Sequence, residues 1–216
     1  MPKSKKCLIS SIVFAVLFVV LTVLLLTVDR KNTGVSDTFL GLFTINVSVF
    51  KAIGSSEIFD KLTDLFLLIA FLVVILELVI ACVQLVKRKN FLKIDKSLVF
   101  YNVMLFVVVV LYVLFDLFPV NFRPLGVEPS YPSTHVLVSV SILISSLFIS
   151  SEFIKNAKLN KTFKICAICV AGLSTVLRLF AGVHYLTDII GGLLLGLAIS
   201  FVLGYVVNLL REKNNK

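Results

Sequence analysis

Apolar residues fall in long blocks along this chain, separated by short charged stretches. A helix needs roughly 20 mainly apolar residues to cross a bilayer. Six blocks approach or exceed that length: residues 7–28, 62–86, 98–118, 136–153, 165–180 and 189–210. The pattern predicts an all-α fold, a bundle of six transmembrane helices, with residues 1–216 forming a single membrane domain. The first block follows the basic start MPKSKK. It is longer than the usual 7–15-residue apolar core of a signal peptide and lacks a small-x-small cleavage site, so it reads as the first span. Residues 29–60 are mixed in character. Within them FLGLFTINVSVFKAIG, interrupted by Gly and Asn, predicts an external interfacial helix or a cap over the bundle. Asn46-Val47-Ser48 in that stretch also fits a glycosylation sequon.

Composition agrees with the blocks. Of 216 residues 59% are hydrophobic and the mean hydropathy is +1.07, which excludes an ordinary soluble domain. The net charge of +9 raises nucleic acid as a partner. The lysines instead sit in short loops beside the spans, where positive charge fixes orientation, so no nucleic acid is expected. With both termini cytoplasmic, 15 of the 21 Lys and Arg fall on the cytoplasmic side. Arg30, Lys31, Lys51, Lys61, Arg123 and Arg178 remain outside, the bias expected of a protein integral to the cell (plasma) membrane. Cys7, Cys82, Cys166 and Cys169 lie in or beside spans, and Cys166 and Cys169, a CxxC one helical turn apart in an apolar run, read as packing residues. Serines in the fourth block suit helix packing, and Glu77 inside the second is a buried carboxylate to be accounted for.

Candidate chemistry collects on the outer face. The loop 121–135, NFRPLGVEPSYPSTH, carries His135, and LRLFAGVHYLTD carries His184, the only other histidine. Basic groups beside two titratable imidazoles suit phosphate-ester chemistry, and the membrane setting makes a phosphorylated lipid the natural substrate.

Arg123-Pro124, then Pro132-Ser133-Thr134-His135, then Arg178-x5-His184-x3-Asp188 resemble the three signature motifs of the type 2 phosphatidic acid phosphatase (PAP2) superfamily. Those motifs run Lys-x6-Arg-Pro, Pro-Ser-Gly-His and Ser-Arg-x5-His-x3-Asp. The resemblance covers residues 116–192 and implies the six-helix membrane branch of that family. It implies His184 as the nucleophile that forms a phosphohistidine, Asp188 orienting it, and His135 as the acid for the leaving group. Arg123 and Arg178 would bind phosphate, joined by Ser133, Thr134 and the amides at the start of the fourth span. A His four residues before an Asp at a helix start can donate one ring N–H to the carboxylate, leaving its other nitrogen free. Ser133 and Thr134 are also good helix-capping residues, a purely structural alternative. No metal or other cofactor is expected. The chain departs from the family at three places: Asp116 stands where the first-motif Lys falls, Leu177 where the Ser precedes Arg178, and Thr134 where Gly precedes the His.

The expected function is metal-independent hydrolysis of a lipid phosphate or diphosphate, of the phosphatidic acid, phosphatidylglycerophosphate or polyprenyl diphosphate type, at the outer membrane face. Two alternatives follow from the same residues. One is a phosphotransferase, its phosphohistidine intercepted by a sugar or lipid hydroxyl. The other is a non-catalytic lipid-phosphate-binding membrane protein, suggested by Asp116 and Leu177.

Overall fold

The computed structural model describes residues 1–35 and 37–214. Ser36 of the segment 29–60, and Asn215 and Lys216 of the basic tail, lie outside the described residues. The elements run α1 (Lys3–Thr27), β1 (Lys31–Asn32), β2 (Phe39–Leu40), α2 (Phe43–Ile53), α3 (Glu57–Arg88), α4 (Lys96–Leu117), α5 (Thr134–Phe153), α6 (Ala157–Ala181) and α7 (Leu186–Asn214). All of these helices except α2 are long and apolar enough to cross a membrane.

The helices outrun the apolar blocks, because their polar ends continue the same backbone. α6 begins at Ala157, eight residues ahead of the predicted 165, where the Asn156 side chain accepts the Leu159 N–H at 3.0 Å and caps the helix. α3 begins at Glu57, with Glu57 and Asp60 in its first turn and Lys87 and Arg88 in its last, the arrangement the helix dipole favours.

α5 is the enclosed centre and packs on α3, α4, α6 and α7, while α1 lies along α7. Its buried Ser139, Ser141, Ser145, Ser146 and Ser150 let neighbours approach closely, as expected of a membrane bundle. The hydroxyls of Ser139, Ser146 and Ser150 fall back on the helix's own carbonyls, Ser139 on His135 at 2.6 Å and Ser146 on Leu143 at 2.8 Å, while Ser145 donates to Met104 Sδ of α4 at 3.6 Å. The outer helices turn Val16, Leu72 and Val109 outward, half exposed, as lipid-facing surface requires. Of the four thiols only Cys7 is buried; Cys82, Cys166 and Cys169 are free and exposed. The packing expectation therefore fails for Cys166 and Cys169, because the turn of α6 that carries them faces out of the bundle.

Polar groups sort to two ends. At one, Ser4 bonds Glu212, Arg211 pairs with Glu152 at 2.8 Å, and Arg88 pairs with Asp95 at 2.7 Å, beside the lysine-rich loops. At the other lie the β1–β2 ribbon, α2, the loop after α4 and the turn between α6 and α7.

Candidate active site

Three pieces of backbone converge at that second end. The loop between α4 and α5 folds onto itself: Arg123 N–H donates to Glu128 O at 3.0 Å and Ser130 N–H to Asn121 O at 2.9 Å. α6 stops at Gly182, whose φ of +69° suits glycine, and His184 follows in the turn. The α4–α5 loop then lies directly on α7. A Cβ on Gly191 would sit 2.4 Å from the Tyr131 ring, and one on Gly192 would sit 2.6 Å from Ser133 O. Ser133 N–H donates to Asp188 O at 2.9 Å, tying the Pro-Ser-Thr-His motif to the His-x3-Asp motif.

His184 is buried, and neither ring nitrogen has a hydrogen-bond partner. Its Nδ1 lies 3.9 Å from Asp188 Oδ2, inside ion-pair range but beyond a hydrogen bond, so the N–H donation expected from the spacing is not made. Asp188 is fully buried at the third position of α7. Its Oδ2 accepts the Tyr185 N–H at 3.0 Å, the returning half of a capping box, and its Oδ1 accepts from Asn121 Nδ2 at 3.2 Å. Burial, then the charges of Arg178, Arg123 and His135, hold the His184 imidazole well below its ordinary pKa. A neutral imidazole is the state in which a histidine attacks.

His184 opens into a cavity of about 350 Å³ shared with Asp116, Arg123, Glu128, Ser130 and Thr134. Arg123 Nε sits 3.2 Å from Glu128 Oε2, which gives that acidic residue a partner; Asp116 lines the same cavity. Thr134, the first residue of α5, brings the helix N-terminus to the cavity wall. Ser133 is fully buried at the N-cap of α5, yet its hydroxyl makes no capping bond. The capping alternative is not realised for that side chain.

Two predicted site residues stand toward α3 instead. Arg178 is buried and its Nη1 bonds Asp60 and Thr63 Oγ1, the latter at 3.0 Å. His135 Nε2 lies 2.8 Å from Asp64 Oδ1. His135 lines a neighbouring apolar groove of about 500 Å³ with Leu67, Phe71, Val108, Tyr112 and Thr134. The groove opens between α3 and α4, which lean on α5 and scarcely touch each other. Tyr112 and Thr134 border both cavities.

The motifs thus bring His184, Arg123 and Thr134 to one cavity, with Asp188 buried behind His184, and His135 and Arg178 toward α3, each held by a carboxylate. Sequence reasoning missed Asp60, Thr63 and Asn121, and gave Asp64 no partner. It also read Asn46 as part of a sequon, whereas Asn46 is fully buried with both ends of its amide bonded, leaving no room for a glycan. The only signal was an amide inside an otherwise apolar run.

A family model described as the PAP2 superfamily matches residues 10–212. Among solved structures, the fold is similar to the crystal structure of a transmembrane PAP2 type phosphatidylglycerolphosphate phosphatase from Bacillus subtilis. The TM-score is 0.63 at 18% identity, over 94% of this chain and 96% of that one. No curated protein matches.

Proposed function

The chain belongs to the PAP2 superfamily, and from that premise we propose that it is an integral membrane phosphatase acting on a lipid phosphate or diphosphate. One observation carries the proposal: a buried imidazole, His184, with both ring nitrogens free, faces a polar cavity that also holds Arg123.

Nδ1 of His184 looks toward Asp188, so Nε2 is the attacking atom. As the P–N bond forms the P–O bond to the lipid breaks, and the departing oxygen takes a proton from His135. Water then attacks phosphorus, gives its proton back to His135, and releases phosphate with His184 restored. Asp188 balances the charge that the ring carries while phosphorylated. Arg123, Arg178, Ser133, Thr134 and the first amides of α5 receive the phosphoryl oxygens.

The apolar groove beside His135 suits acyl or prenyl chains, with the head group reaching the site laterally from the outer leaflet. The excess of positive charge at the opposite end supports an extracytoplasmic site with both termini cytoplasmic. Phosphatidic acid, phosphatidylglycerophosphate and polyprenyl diphosphates all fit this chemistry. The test is phosphate release from a panel of these lipids by purified protein in detergent with EDTA, beside His184→Ala. Release that survives EDTA and vanishes in the variant is the expected result. Release from both proteins would refute His184 as nucleophile.

One observation favours a second reading, a lipid-phosphate binder without turnover. Arg123 and Arg178 each already hold a carboxylate, and Asp116 adds another to the cavity. That reading predicts lipid-phosphate binding with no phosphate release from wild type.

A further inference from the structure

Residues 29–60 carry none of the motifs, and the steps above do not use them, yet they reach the centre of the site. Asn46 on α2 and Asn121 after α4 are both 0% exposed. Asn121 Nδ2 donates to Asp188 Oδ1 at 3.2 Å, and Asn121 Oδ1 accepts the Gly41 N–H at 3.0 Å. Gly41 O accepts from Asn46 Nδ2 at 2.9 Å. The same Nδ2 reaches Thr187 Oγ1 at 2.9 Å, and Asn46 Oδ1 accepts the Thr187 N–H at 3.2 Å. A closed circuit therefore runs from Asp188 through Asn121, the Gly41 backbone and Asn46 to Thr187, the residue before Asp188. Gly41 is itself pressed against α1, since a Cβ there would fall 1.9 Å from Leu25 O.

We propose that Asn121 and Asn46 are positioning residues for the nucleophile. Their amides hold the Asp188 carboxylate and the first turn of α7 in the one setting where Oδ2 faces His184 Nδ1. The outer segment is then part of the catalytic apparatus. The inference rests on the reading of His184 as nucleophile. Its chemical basis is the pairing of needs at position 121. Asp188 requires a donor there and the Gly41 N–H requires an acceptor, and an amide supplies one of each. The terminal torsion of a carboxylate is broad, so loss of Asn121 would leave the Tyr185 N–H, with the Ser130 hydroxyl nearby, to restrain its rotation. Asn46 acts one step further back, on the backbone amide of Thr187 and on the Gly41 carbonyl.

The titratable groups that face Asp188 are His184, Tyr185 and Tyr131, and none is a carboxyl. Asn121→Asp therefore introduces one new titration. Protonated, that carboxyl still donates to Asp188 and accepts from Gly41; ionised, it sets two like charges side by side and pushes Asp188 away.

The experiment follows phosphate release by full-length wild type, Asn121→Asp, Asn46→Ala and His184→Ala, on whichever lipid phosphate the wild type hydrolyses. Inorganic phosphate is titrated as inhibitor alongside. The expected ratio of Asn121→Asp to wild-type rate is near one at about pH 5 and falls at least about 10-fold by about pH 8. Asn46→Ala is expected to lower kcat by about 10–100-fold at unchanged KM and unchanged phosphate inhibition. A purely structural role would move stability without that pH signature. Should Asn46→Ala fail to fold, the Asn121→Asp ratio decides alone. A ratio constant across that range overturns the inference, as does an Asn121→Asp protein that does not fold at about pH 5, or a folded Asn46→Ala with wild-type kcat. Absent wild-type turnover, or turnover surviving in His184→Ala, overturns the hydrolase reading first and the positioning role with it, before any Asn variant is compared.

Discussion

Asp60→Asn removes the counter-charge from Arg178 at almost constant volume. The Arg178 side chain is 3% exposed and that of Asp60 36%, so the pair is neither fully buried nor a surface bridge. Breaking a buried pair costs roughly 3–5 kcal/mol, and a surface pair contributes at most about 1 kcal/mol. Thr63 Oγ1 remains on the guanidinium at 3.0 Å, and the variant also loses an acidic group from the first turn of α3. An intermediate loss of about 1–3 kcal/mol follows, which lowers the melting temperature by roughly 2–4 °C per kcal/mol in a chain of this size. The same change frees Arg178 for phosphate, and phosphate returns the missing negative charge. Inhibition by inorganic phosphate is therefore expected to tighten, by about 10-fold for each 1.4 kcal/mol recovered. The assay is thermal unfolding in detergent with and without phosphate, beside inhibition of lipid-phosphate hydrolysis. A variant with wild-type melting and weaker phosphate inhibition would refute the reasoning, because Arg178 would then neither depend on Asp60 nor meet phosphate.

Three further outcomes follow from the same geometry. Asp116→Lys replaces a negative charge on the cavity wall with a positive one and is expected to lower KM for a lipid phosphate by up to about 5-fold, the effect of about 1 kcal/mol; steady-state kinetics on mixed micelles checks it. Gly192→Ala forces a methyl against Ser133 O and is expected to cost about 1–3 kcal/mol and to lower kcat, read by thermal melting and turnover, since the α4–α5 loop must lift from α7. His184, held neutral by burial first and by Arg178, Arg123 and His135 next, stays unprotonated below its ordinary pKa of about 6.5. Protons then bind the unfolded chain but not the folded one, so stability falls as pH drops below about 6.5, at up to about 1.4 kcal/mol per pH unit, until the folded pKa is reached; His184→Gln should flatten that part of a denaturation-versus-pH series.

The span count and the candidate catalytic residues were legible in the chain because both are local properties. A 20-residue apolar block declares a helix by its length, and Arg178-x5-His184-x3-Asp188 lies within eleven consecutive residues. Helix ends were read less well, since hydropathy stops where polar residues begin while α6 continues back through them to Ala157. The three motifs within residues 116–192 resembled a known family through their order, and they do meet at one end of the bundle.

What the chain alone could not show is which distant groups face one another. Asp60 and Arg178 are separated by more than a hundred residues and Asn46 and Thr187 by still more, and each pair meets only because α3, α6, α2 and α7 pack together. A buried charge or amide must find a partner, but hydropathy names the groups that need partners without naming the partners. Asn46 therefore reads as an interruption of an apolar stretch, and Asn121 as a loop residue. By itself the sequence determined a six-span bundle with two histidines at one end, because the bilayer's thickness and the order of the motifs require it. The tertiary structure decided that three carboxylates stand against His135, Arg123 and Arg178, and that residues 29–60 reach Asn121 and Thr187, the neighbours of Asp188. Those contacts depend on helix rotation and packing, which no periodicity in an all-round apolar helix records.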